Sequence, residues 1–355
     1  MPEQSAGQSG ESFGSYILDQ PLAIGGMAEV FVARRRYAAG IEKPVALKRI
    51  RPEYSQNPAF SSLFLQEARI ALRLNHPNVV QVYDFGEWEG RLFLAMERVD
   101  GWDLRRLRQA LRSRNQALPV ALAFYVAWSV CRALDYAHSL TDAEGRPWGL
   151  VHQDVGHPNI LISRDGTVKL TDFGVARLEN EGPERLRGRP GYMSPEQLRG
   201  EGVDQRSDLY SLGVVLFELL TDQRLFGGGG PANTLWRSLH HEPPPVSSLR
   251  PELKIEVDSL LQSMLQRDRQ QRVPTARALL PALRRGMDPL DPEAAAEALG
   301  ALFRELEQGE GTIGEEEQTV LQPDATTDID AGPVALSSPG PKPPAPAPPE
   351  PPPSE

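Results

Sequence analysis

Between residues 15 and 99 the apolar positions fall in short runs that read as strands: SYILDQPLAI (15–24), AEVFVARRRY (28–37), PVALKRI (44–50), VVQVYDFGEWEG (79–90) and RLFLAMERV (91–99). Val, Ile, Phe and Tyr suit a pleated, half-buried surface. One helical pattern interrupts them, from about Ala59 to Leu74, with Phe60, Phe64, Ala68, Ala71 and Leu72 on roughly one side. Beyond Gly101 the period changes. Residues 121–140, ALAFYVAWSVCRALDYAHSL, are too apolar all round for a surface helix and read as a central packed one. Residues 207–221 and 258–267 give two more helices, and VHQDVGHPNILIS with TVKLTDFG gives a loop and short strands between them.

This pattern predicts an α+β, bilobal fold, with a small β-rich lobe containing one helix (15–98) and a larger helical lobe (99–285). Residues 1–14 read as a flexible lead-in and 286–308 as a short helical extension, on which Ala295, Leu299, Leu302, Phe303 and Leu306 keep helical spacing. A cleft between lobes is where a small molecule would bind.

Charge changes the picture only at the end of the chain. The whole carries a net charge of −10, but residues 287–355 hold 15 acidic and two basic side chains, which leaves a nearly neutral body. Residues 309–330 contain no Lys or Arg, and 333–355 contain 11 prolines. A segment so poor in apolar side chains cannot repay its ordering entropy, so 309–355 reads as disordered, acidic and then Pro-rich. Such a tail is a spacer or a ligand for an aromatic-lined groove of a partner. The body lacks the basic excess of a nucleic-acid binder, and the arginines at 34–36 and at 105, 106, 108, 112 and 114 read as solvated faces. No run approaches 18 uninterrupted apolar residues, the first residues have no secretory pattern, and Cys131 is the sole cysteine. The expectation is a cytoplasmic protein with no membrane or nucleic-acid partner.

Four segments carry candidate chemistry. In AIGGMAEV (23–30), Gly25 and Gly26 let a turn approach a ligand closely, as they would in any hairpin. Lys48 in VALKRI points to solvent or into a cleft, where Glu67 would be an anionic partner. In VHQDVGHPN, Asp154 and Asn159 stand five residues apart. Asp172, in LTDFG, follows a short hairpin. Asn159 and Asp172 offer oxygen ligands suited to Mg²⁺, and Asp154 can accept a proton. The six histidines form no metal-binding spacing, and His152 reads as a structural hydrogen-bonder.

Taken in order, these segments resemble the bacterial eukaryotic-type (Hanks-type) serine/threonine protein kinases, from about residue 15 to 285. AIGGMAEV is similar to the glycine-rich loop, VALK to the strand with the phosphate-facing lysine, AMERV (95–99) to the hinge, HQDVGHPN to the catalytic loop, DFG to the magnesium motif, and GRPGYMSPE to the substrate-binding segment. The resemblance implies ATP with Mg²⁺ or Mn²⁺ and a protein Ser or Thr as acceptor. It implies Asp154 as base, Lys48 on the phosphates, and Asn159 and Asp172 on the metal. The nucleotide site would comprise Ala23, Ile24, Gly25, Gly26, Met27, Ala28, Val30, Ala46, Lys48, Glu67, Met96, Glu97, Val99, Asn159, Leu161 and Asp172. Asp208 and a pair between Glu196 and Arg272 would belong to the scaffold.

Several residues depart from the family pattern. Gln153 stands for the usual arginine, Gly156 for the lysine two positions after the base, His157 for the next proline and Arg189 for a threonine. Residues 175–193 contain no Ser or Thr, only Tyr192, so the site needs no phosphorylation there or has been retired. Internal pairing among Glu179, Glu181, Glu184, Arg185, Arg187 and Arg189 would order the segment without phosphate. Arg189 either supplies the cation missing at Gly156, as a catalytic residue, or ties up Asp154. The reading is an active protein kinase; the alternative is a nucleotide-binding pseudokinase with a regulatory or scaffold role.

Overall fold

The computed structural model describes residues 10–25, 28–173, 177–178, 189–227 and 230–310. The small lobe is a six-stranded antiparallel sheet in the order β1-β2-β3-β4-β6-β5, made of Glu11–Phe13, Tyr16–Ile24, Ala28–Arg36, Glu42–Ile50, and then Arg91–Met96 (β6) beside Val82–Trp88 (β5). Two helices, α1 (Pro52–Ser55) and α2 (Pro58–Ala71), follow β4. α2 lies on one sheet face, where Phe64 and Ala68 bury themselves against Ile50, Val82 and Leu94. The opposite face packs Phe13, Tyr16, Val45, Leu47 and Phe93. β2, β3, β4 and β6 thus serve two small cores through their alternate side chains.

The large lobe begins with β7 (Gly101–Asp103), α3 (Leu104–Ser113) and α4 (Val120–His138). Three short strands follow: β8 (Leu150–Val151), β9 (Ile160–Ser163) and β10 (Val168–Leu170). Strand β11 (Arg177–Leu178) pairs with β8. The remaining helices are α5 (Pro195–Leu198), α6 (Gln205–Thr221), α7 (Pro231–His240), α8 (Val246–Leu249), α9 (Ile255–Met264), α10 (Ala276–Gly286) and α11 (Pro292–Glu310). By length and apolarity α4 could span a bilayer, but most of it is buried inside the lobe. It is a core helix, packed against α6, α10 and α11.

Three expectations are corrected. The lead-in read as flexible over 1–14 contains β1, Glu11–Phe13, which pairs with β2 because Phe13 buries its ring in the sheet's core at 2% exposure. Arg108 is no solvated arginine: it is 6% exposed and donates to Glu218 at 3.0 Å and Asp222 at 3.2 Å. Its position on the inner face of α3 requires those counter-charges. Residues 309 and 310 close α11 rather than opening the tail. The readings of Gly26, Met27 and the acidic cluster at 179–184 lie outside the described residues, as do those of Arg185, Arg187 and the tail from 311.

Candidate active site

Lys48 sits mid-strand in β4, opposite Val30 on one side and Leu94 on the other. Its Nζ lies 2.7 Å from Glu67 Oε1 on α2 and 3.0 Å from Asp172 Oδ1. Helix α2 is therefore seated against the sheet, and one cation joins both lobes. Burial opposes the ammonium charge, but the Asp172 and Glu67 carboxylates outweigh it and raise the Lys48 pKa. Lys48 in turn holds the Asp172 carboxyl below its usual range, against the opposing effect of burial.

The catalytic-loop sequence is fixed from beneath. Buried Asp208 accepts from the backbone N–H groups of His152 and Gln153, each at 2.8 Å, and meets His138 Nε2 at 2.8 Å. Gln153 adopts φ 68°, and Asp172 adopts φ 58°. Two left-handed non-glycine residues beside one cleft mark strain held by its surroundings. His152 contacts the Thr171 carbonyl at 3.0 Å and packs its ring edge-on to Phe173, so it is a hydrogen-bonder as read.

Asn159 Nδ2 donates to the Asp154 carbonyl at 2.8 Å and to Asp154 Oδ2 at 2.7 Å. That leaves Asn159 Oδ1 as the amide's ligand atom. Arg189 Nη1 donates to the same Asp154 oxygen at 2.9 Å, with its side chain 39% exposed. Of the six charged residues proposed to pair within 179–189, Arg189 is described, and it turns to Asp154. Burial pushes the Asp154 carboxyl up, opposed by Arg189 and His152.

The apolar side of the cleft is equally compact. Ala46 and Met96 are buried in one cluster, with Val30, Val99 and Leu161 packed against it. Ala23 pairs with Val30 and Ile24 with Glu29 across the β2–β3 hairpin, Ala28 opposes Ile50, and the Gly25 N–H donates to the Ala28 carbonyl. Glu97 is placed differently from the pocket residues. Its carboxylate engages Lys169 at 3.0 Å and the Gln81 N–H at 3.2 Å, so only its backbone belongs to the cleft wall.

Sequence reasoning missed a buried polar network below the catalytic loop. Arg108 Nη1 and the Tyr192 hydroxyl both approach His157 Nδ1, at 3.0 and 2.9 Å. Burial and the neighbouring Arg108 push His157 well below the usual imidazole range, so it stays neutral, and its one Nδ1 position faces both groups. The Tyr192 ring also covers Gly156, where an added β-carbon would meet it at 3.2 Å. The signal available in the sequence was the paired departure at Gly156 and His157. The expected pair between Glu196 and Arg272 is present and bidentate, at 2.5 and 2.6 Å.

A β-rich lobe over a helical lobe, with a lysine bridging a helix carboxylate and a carboxylate beyond the catalytic hairpin, defines a protein kinase. The protein kinase domain model matches residues 16–282, and the chain belongs to that family. It is 37% identical over 314 residues to the tyrosine-protein kinase MasK of Myxococcus xanthus, covering 87% of this chain and 48% of the relative. Serine/threonine-protein kinase PknB of Mycobacterium leprae is 34% identical over 311 residues, covering 84% and 47%. The chain thus spans about half the length of these curated relatives. Among solved structures, the PknI kinase domain of Mycobacterium tuberculosis superposes with a TM-score of 0.60 at 28% identity, covering 79% of this chain and 100% of that domain.

Proposed function

We propose that the protein transfers the γ-phosphoryl group of ATP to a protein serine or threonine hydroxyl. The observation that carries this reading is the pair of triads Glu67–Lys48–Asp172 and Asn159–Asp154–Arg189 beside one cleft. The apolar cluster of Ala46, Met96, Val30, Val99 and Leu161 suits a flat base, and Lys48 suits a phosphate. Among the described residues no three His, Cys, Asp or Glu side chains converge on a metal. Asp172 and Asn159 Oδ1 fit Mg²⁺ or Mn²⁺ in the way such ions are held with substrate phosphates, by few protein oxygens. The metal would neutralise phosphate charge.

Asp154 would orient the acceptor hydroxyl and take its proton as that oxygen bonds to the γ-phosphorus and the bond to the ADP oxygen breaks. Lys48 would hold the nucleotide phosphates, and Arg189 would face the charge that develops between Asp154 and Asp172. Its pairing with Asp154 is compatible with that role, because one of its donors is used there and much of the side chain is exposed. The pseudokinase alternative rests on Gln153, Gly156, His157 and Arg189, and the retained Asp154 beside Asn159 favours transfer over it. We place the protein in the cytoplasm, supported by its single, buried, unpaired Cys131. The Pro-rich tail would serve as a spacer, with an aromatic-lined groove of a partner as the alternative.

The test is γ-phosphate transfer to generic protein substrates with Mg²⁺ or Mn²⁺, against an Asp154→Asn control, followed by phosphoamino-acid analysis. Transfer to Ser or Thr that D154N abolishes supports the reading. Transfer to Tyr would revise the acceptor, in line with the name of the Myxococcus relative. Nucleotide binding without transfer would favour the pseudokinase.

A further inference from the structure

Helix α11 lies beyond the matched domain, which ends at residue 282, yet it is built onto the sheet that carries the cleft's polar groups. In the β10-β9-β7 sheet, β9 starts directly after Asn159, β10 ends two residues before Asp172, and β7 begins two residues after Val99. The helix touches this sheet at both ends. In the β9–β10 turn, Gly166 has φ +85°, and a β-carbon there would land on the Ala296 carbonyl oxygen of α11. A β-carbon on Gly300 would stand 2.8 Å from the Asp165 carbonyl carbon. Helix and turn therefore meet backbone to backbone, an approach open only to glycine.

On β7, the Trp102 ring centroid is 4.4 Å from that of Phe303. Polar ties repeat the pattern. Arg164, in the turn, lies 2.8 Å from Glu307 on α11 and 3.4 Å from Asp100, the residue after Val99. Arg114 donates to the Glu305 and Leu306 carbonyls, at 3.1 and 2.5 Å, and so ties α3 to the last turns of α11. Burying Ala295, Leu299, Phe303 and Leu306, all fully enclosed, would need only an apolar stripe. The glycine contact adds something burial does not require: no side chain separates the helix from the turn to absorb a displacement.

We infer that α11 is a positioning element of the active site, holding the β9–β10 turn, and with it the spacing of Asn159 and Asp172, against the strand that leaves the hinge. The catalytic unit then extends to Glu310. The inference rests on the kinase reading only for its activity readout.

The test uses the full chain with Gly300→Val, which drives a side chain into the turn, and with Glu297→Ala on the exposed face of α11 as control. Three quantities are measured: the Mg²⁺-dependent rise in Tm caused by ATP, kcat and KM for transfer, and amide exchange over residues 160–172. In G300V, exchange over 160–172 should quicken and Mg·ATP affinity and kcat should fall, by roughly ten- to a hundred-fold. E297A should change none of them. A cooperatively folded G300V with wild-type exchange at 160–172 and wild-type Mg·ATP binding overturns the inference. If G300V does not fold, Arg114→Ala combined with Glu307→Ala loosens the helix without touching its core face, and unchanged exchange at 160–172 is then the overturning result. The exchange measurement stands even if wild type transfers no phosphate, which would count against the proposed function alone.

Discussion

Arg189 donates to Asp154 at 2.9 Å, through the same carboxylate oxygen that Asn159 engages at 2.7 Å. A long, permanently charged side chain thus stands where the resemblance places a threonine, on the aspartate that precedes by two residues the glycine replacing a lysine. The guanidinium has donors to spare for phosphate oxygens.

Arg189→Ala is expected to lower kcat by roughly ten- to a thousand-fold, with little change in ATP affinity. Arg189 opposes the upward push of burial on Asp154, so its loss raises the Asp154 pKa further. The acidic limb of the kcat–pH profile should therefore move to higher pH. An R189A enzyme as active as wild type would show instead that the arginine restrains Asp154. A Gly156→Lys background should soften the loss, and Gly156→Ala controls for the Tyr192 ring that the new β-carbon meets at 3.2 Å.

Asp172→Asn should abolish most of the metal-dependent part of the Tm rise produced by ATP, because binding to the folded state alone sets that rise. The Lys48–Glu67 pair at 2.7 Å should survive the change. Equal stabilisation of wild type and D172N by Mg·ATP would remove Asp172 from the metal site.

Activity should not depend on phosphorylation between Asp172 and Glu196. Tyr192 is the sole hydroxyl residue in 175–193, and its hydroxyl is committed to His157 at 2.9 Å. Phosphatase-treated protein should start at its full rate without a lag. A lag abolished by preincubation with ATP, with phosphate found on Tyr192, is the contrary result.

Glu196 and Arg272 form a buried pair, at 3% exposure each. Arg272→Ala should cost about 3–5 kcal/mol, because it leaves a buried carboxylate unpaired. Burial opposes ionisation of Glu196, but Arg272 and Ser207 outweigh it and hold the carboxyl below its usual range. A depressed folded-state pKa gives stability that is full above the unfolded value and lost as pH falls through the folded one. Denaturant titrations of wild type should therefore show this loss on acidification, and Glu196→Gln should flatten it.

Removing residues 311–355 should shift Tm by no more than a degree or two, whereas removal from Pro292 onward should lower it far more, since α11 buries Phe303 and Leu306 completely. Thermal melts of the two truncations check both halves of this expectation.

The linear pattern by itself determined the two lobes, the central apolar helix and the grouping of Asp154, Asn159 and Asp172, while Lys48, 124 residues from Asp172, joined them only through resemblance. Periodicity and short-range spacing are local properties, and residues five or thirteen positions apart in a tight loop and hairpin have few places to go. It also specified the Glu196–Arg272 pair, although only through resemblance, because 76 residues of chain separate the two. Tertiary structure alone decided which arginines are structural. Arg108 reads in sequence as surface charge and Arg189 as either a catalytic cation or a tie on Asp154, and only the packing of α3 against α6, and of the substrate-binding segment against the catalytic loop, gives each its buried or half-buried carboxylate. It alone also put α11 on the β9–β10 turn. Gly166 and Gly300 are unremarkable glycines in sequence, and a close approach between two backbones 134 residues apart leaves no periodic trace in either.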